Sequence, residues 1–156
     1  MKRKSGIVCL IALVLLSLAV AVVAGNDIDQ FRSCSQCGMD RKAYGYSRMM
    51  INYENGTQVG VCSVHCAVTE MNKHAEHAVK SLQVADRDTR TLIDVKKAFW
   101  VIGGSKRGVM TQIPTWAFAT KEGAEAFVAS SGGKTGSWES VLLAAREGNA
   151  PTKQPR

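Results

Sequence analysis

Apolar and polar positions fall into several distinct patterns along this chain. An uncharged, mostly apolar run occupies Ile7 to Ala24, and a short polar stretch carrying Phe31 follows it over residues 25–33. Tyr46 to Tyr53 alternates as a half-buried strand does, setting Tyr46, Met50 and Asn52 opposite Met49, Ile51 and Tyr53. Asn55-Gly56 then predicts a two-residue type I′ hairpin turn, with Gln58 to Cys62 as the returning strand. Ser63 is a good helix cap, and Val64, Ala67, Val68, Met71 and Ala75 recur at helical spacing behind it. Ser81–Ala85 and Thr91–Val95 read as strands flanking a turn at Asp86-Arg87-Asp88, and Ala98–Ile102 reads as a buried strand closed by Gly103-Gly104.

The pattern then repeats. Pro114–Ala119 forms a strand, and Thr120 caps a helix with Ala124, Phe127 and Val128 on one face. Gly132-Gly133 stops that helix. After a Lys134-Thr135-Gly136 connection, a last amphipathic helix shows Trp138, Val141, Leu142 and Ala145, and the polar tail spans 148–156. Two strands followed by a helix thus occur twice. The expected class is α+β: two small similar lobes, about 34–97 and 98–147, each a hairpin or short antiparallel sheet packed by a helix.

Composition changes this picture at the N-terminus. Lys2, Arg3 and Lys4 precede the apolar run, and Gly25-Asn26-Asp27 follows it, which is the layout of a secretory signal. The run is also long enough to reach across a hydrocarbon core of ~30 Å, so residues 1–24 are a cleaved signal or a membrane anchor. Either places the domain outside the cytoplasm. The net charge of +7 falls to +4 without the three leading bases, and the remaining Lys and Arg are scattered. No basic stripe interleaved with aromatics exists, which argues against nucleic acid as a partner.

The chemistry lies in the cysteines. Cys34-Ser35-Gln36-Cys37-Gly38-Met39 is answered by Cys62-Ser63-Val64-His65-Cys66, so a turn and a strand-to-helix junction each offer two thiols. Two such pairs can close a tetrahedron around one ion. Three other readings compete: a structural zinc knuckle serving protein interaction, two disulfides in an oxidising compartment, and a thiol–disulfide reductase. Met39, with Met110 in a Gly-rich loop, favours Cu(I), which accepts thiolate and thioether ligands, over zinc. Core packing is the bland account of both methionines and the better one for Met49, Met50 and Met71. His65 reads as a ligand, an outer donor or a polar first-turn residue. His74 and His77 share a helical face near a solvated end. No nucleophile–base pair, paired carboxylates or phosphate-cradling loop is present, so the expectation is binding without catalysis.

These motifs resemble the NosL family. The resemblance is carried by Cys37-Gly38-Met39, by Phe99-Trp100-Val101-Ile102-Gly103 with Gly108-Val109-Met110, and by Trp116-Ala117-Phe118-Ala119 with Ala124, Phe127 and Gly132-Gly133. It implies an exported, membrane-associated Cu(I) carrier of two similar α+β halves that delivers copper to nitrous-oxide reductase. It nominates Cys37, Met39 and Met110 for copper, and its partners are copper-donating or copper-accepting proteins. The family's usual lipoprotein cysteine has no counterpart at the end of this apolar run. Cys62–Cys66 after an Asn-Gly hairpin instead resembles metal knuckles of the TRASH and YHS type. The full ligand set expected is Cys34, Cys37, Met39, Cys62, Cys66 and Met110.

Overall fold

The computed structural model describes residues 26–148, so the apolar run with its basic prefix, and residues 149–156 of the tail, lie outside it. Among the described residues no helix is long and apolar enough to cross a membrane.

The elements are α1 (Asp27–Gln30), β1 (Met49–Tyr53), β2 (Gln58–Val61), α2 (Val64–Lys73), β3 (Val79–Ala85), β4 (Leu92–Asp94), β5 (Phe99–Ile102), β6 (Thr115–Phe118), α3 (Lys121–Ser131), β7 (Lys134–Gly136) and α4 (Trp138–Glu147). They build two antiparallel sheets, ordered β2-β1-β3-β4 and β6-β5-β7. Each half therefore runs hairpin, helix, third strand, with the third strand returning to pair beside the first. The rhythm expected from the sequence is present, and it extends one strand further in each half. Lys134–Gly136 is short, and two of its three residues are exposed, so its apolar pattern gives no strand signal.

The β1–β2 turn differs from expectation. Gly56 donates to Tyr53 O, Tyr53 donates to Thr57 O, and only Gly56 has positive φ, at 87°. A type I′ turn needs two residues in that region. Asn55 escapes it because its side-chain oxygen accepts the Thr57 N–H at 2.9 Å, so three residues close the loop. Residues 27–30 of the polar stretch form a helical turn capped by Asn26.

The two halves share one core. Met49, Ile51 and Tyr53 of β1, with Leu82 and Val84 of β3, face Ala67 and Val68 of α2. The same cluster continues into Trp100 and Ile102 of β5 and into Trp138, Val141 and Ala145 of α4. Val101 points to the opposite face, where Trp116, Phe118, Ala124 and Phe127 form a second cluster under α3. β5 is thus buried on both sides, which is why Trp100-Val101-Ile102 reads as a continuous apolar run. Asp86 ties the sheets together: its buried carboxylate accepts from the Thr89 N–H and hydroxyl and from the Ala119 N–H at 2.9 Å.

Candidate metal centre

The first ligand pair stands on a closed loop. Ser33 bridges Asp40, the Cys34 N–H donates to Met39 O at 2.8 Å, and the Gly38 N–H donates to Cys34 O at 2.9 Å. Gly38 has φ 74° with open space around it, so backbone conformation rather than crowding demands glycine there. The Ser35 N–H reaches Gly60 O at 3.1 Å and fastens the loop to β2.

The second pair straddles the cap of α2. Cys62 lies one residue beyond β2 and Cys66 in the first helical turn, while Ser63 Oγ accepts the Cys66 N–H at 3.4 Å. The four sulfurs lie within 4.8 Å of one another, with Cys37–Cys62 at 3.5 Å and Cys62–Cys66 at 3.7 Å. Corners of a tetrahedron with metal–sulfur bonds of about 2.3 Å stand about 3.8 Å apart, so the array is close to the size one ion requires. All four thiols are free, and these separations far exceed a disulfide bond of about 2.0 Å. Cys34, Cys62 and Cys66 are buried; Cys37 is half-buried and opens the site to solvent.

The thiols are electrostatically unequal. Burial works against ionising Cys34, but the backbone N–H groups of Cys37, Gln36 and Cys62 outweigh it and bring the pKa down to about 7. Burial, together with the neighbouring Cys34 and Cys62, pushes Cys37 up to about 11. The hydrogen bond Cys62 makes to Cys66, reinforced by burial, pushes Cys62 well above the usual thiol range. One sulfur is therefore poised as thiolate while two hold their protons until an ion displaces them.

A family profile for NosL matches residues 26–144. The chain belongs to the NosL family. Both cysteine clusters and Met110 fall inside the matched region. Among solved structures, the crystal structure of the copper chaperone NosL from Shewanella denitrificans is similar, with a TM-score of 0.58 and 22% identity. The likeness covers 74% of this chain and 92% of that one, and it establishes a shared fold. No curated protein matches.

In this NosL-family chain the knuckle rests on a network that the sequence reading missed. Arg41 is fully buried directly behind it. Its guanidinium donates to Val61 O, Met49 O and Phe31 O, and pairs with Asp27 Oδ2 at 2.8 Å. Arg48 donates to both Asp27 oxygens, at 2.8 Å to Oδ1 and 2.9 Å to Oδ2. Burial raises the Asp27 pKa, but the two guanidiniums outweigh it and hold the carboxyl below its ordinary value. The signal for this network is Gly60 in the middle of β2. A Cβ there would sit 2.7 Å from Arg41 Cζ, so the glycine lets the arginine lie across the strand.

The remaining candidates occupy different places. Met39 is half-buried and packs against the cysteine-containing core. Met49 and Met50 are buried strand residues and Met71 packs partly buried on the core, in keeping with a packing role. Met110 is 44% exposed and has φ 57°, which is unusual for a side-chain-bearing residue and argues against core packing. It lies in the β5–β6 connection, the counterpart of the Glu54–Thr57 loop of the first half. Met110 lines an open cleft together with His65, Lys106 and Arg107. His65 lies in the first turn of α2, next to Cys66 in the chain, and none of the four cysteines lines this cleft.

Proposed function

We propose that this chain is an exported accessory protein that binds one Cu(I) ion at Cys34, Cys37, Cys62 and Cys66, with Met39 and Met110 as thioether partners. It hands the ion to a cuproprotein, and the family resemblance points to nitrous-oxide reductase as that client. The observation that carries this reading is the convergence of four free thiols within 4.8 Å. A soft donor set suits Cu(I), and the similar solved protein is described as a copper chaperone. Copper here is cargo. Residues 1–24 supply the export signal or the membrane anchor.

Transfer proceeds by ligand exchange. A partner's thiolate or thioether reaches the ion on the side of half-buried Cys37, shares it, and displaces this chain's sulfurs one at a time. Met110, exposed and lining the same cleft as His65, is a thioether that an approaching partner can engage during the exchange. Protons return to Cys37 and Cys62, whose raised pKa values favour release. No redox step is needed.

Two rivals have a specific observation behind them. The sulfur spacing fits a zinc tetrahedron equally well, so a structural zinc knuckle is the second reading. Cys34, with its pKa near 7, invites comparison with thiol–disulfide reductases. There, however, the accessible thiol is the ionised one, whereas here the accessible thiol is Cys37, which burial keeps protonated.

The test loads the protein anaerobically with one equivalent of Cu(I) and follows transfer to a stronger Cu(I) chelator by absorbance. Thermal unfolding is recorded before and after removal of the metal. The proposal expects complete transfer with the fold retained. Loss of the fold on metal removal would establish a structural metal staple instead.

A further inference from the structure

The geometry points to a second metal site in this chain, distinct from the thiols: His74, Glu76 and His77 take one divalent cation of the zinc class. These three side chains follow α2 in a tight turn, closed by the His77 N–H donating to His74 O at 2.9 Å. His74 Nδ1 lies 3.5 Å and His77 Nε2 3.6 Å from the same Glu76 oxygen. Tetrahedral donors with bonds of about 2.0–2.1 Å stand about 3.3 Å apart, so both nitrogens are near ligand spacing from that oxygen, and one donor atom from each of the three residues lies within 4.8 Å of the others. The two imidazole rings are nearly parallel, with centroids 5.6 Å apart and an interplanar angle of 8°.

Two buried groups behind the cluster distinguish it from a chance surface triad. Glu70, 5% exposed, places a carboxylate oxygen 3.6 Å from His74 Nε2, the ring nitrogen facing away from Glu76. Metal-bound histidines typically give their second N–H to such a carboxylate, which sets the tautomer and raises ligand basicity. Glu70 is itself held by Gln36 Nε2 from the cysteine knuckle. Tyr53 packs edge-on against His77 with centroids 5.6 Å apart, and its buried hydroxyl has no hydrogen-bond partner among the described residues. Imidazole and carboxylate donors suit Zn2+ and Cu2+ rather than Cu(I). The site therefore has a different preference from the cysteine array.

Zn2+ titration by calorimetry, with imidazole resonances followed by NMR, tests this. Wild-type protein and a Cys34→Ser/Cys37→Ser variant should both bind one Zn2+ that shifts the His74 and His77 resonances. Because the cysteine variant keeps the site, the result is independent of the Cu(I) proposal. His74→Gln/His77→Gln should lose that equivalent with unchanged thermal unfolding, since both rings are about two-fifths exposed. Glu70→Gln should weaken it by about tenfold or more while leaving the stoichiometry intact. Undiminished Zn2+ binding in His74→Gln/His77→Gln, or loss in His65→Gln instead, would overturn the assignment.

Discussion

The two halves of this protein use one topology for different ends. In each, a hairpin leads through an oxygen-bearing cap into a helix, and a third strand pairs beside the first. Ser63 accepts the Cys66 N–H, and Thr120 accepts the Gly123 N–H at 3.2 Å. Relative to those caps, Cys62 and Cys66 occupy the positions that Ala119 and Gly123 fill in the second half. The first half also has a knuckle facing the junction, tied down by Arg41, and the second half has none. A strand-to-helix junction is thus a general way to hold two side chains near one point. It becomes a metal site only when a second loop brings two more.

The comparison is broken most severely by removing the support behind the knuckle. Asp27→Ala leaves Arg41 buried without its charge partner and should cost about 3–5 kcal/mol in denaturant unfolding. No equivalent loss should follow from removing Asp88, whose pairing with Arg87 is half-exposed. Gly60→Ala would push a methyl group against Arg41 and Phe31, costing about 1–3 kcal/mol, and would lower Cu(I) affinity by shifting the loop. The two caps sharpen the contrast. Ser63→Ala and Thr120→Ala should each cost about 1 kcal/mol in thermal unfolding, yet only Ser63→Ala should weaken metal binding.

The smallest effect is a pH dependence confined to the first half. Cys34 titrates near 7 in the folded protein, below its ordinary value of 9.0. Its contribution to metal-free stability is therefore complete above pH 9 and lost as pH falls through 7. Cys37, raised to about 11, works in the opposite sense between pH 9 and 11, where the unfolded chain ionises first. The thiol-dependent part of stability should peak near pH 9. Comparison with Cys34→Ser and Cys37→Ser, alongside thiolate absorbance, isolates it.

Much of this was legible in the residues. Strand alternation, the Ser63 and Thr120 caps and the Gly132-Gly133 stop each act within a few positions, so a local pattern reveals them. The cysteine spacings pointed to a four-thiol convergence for the same reason. The Arg41–Asp27–Arg48 network was not legible, because it joins a polar stretch, the residue after the knuckle and a strand start through contacts no periodicity encodes. Strand β7 was hidden by its exposure. His74 and His77 were visible as a shared face, but Glu70 behind them depended on how α2 docks.

The measurement that bears most directly on the cysteine site is anaerobic Cu(I) competition against a high-affinity chelator, for wild-type protein and Cys34→Ser/Cys37→Ser. Four-ligand structural zinc sites bind with about 10–16 kcal/mol, and on that scale losing two of four sulfurs should cost about 5 kcal/mol or more, a several-thousandfold weakening. Wild-type protein should hold one Cu(I) at that higher affinity. Equal Cu(I) affinity in the two proteins would contradict the account.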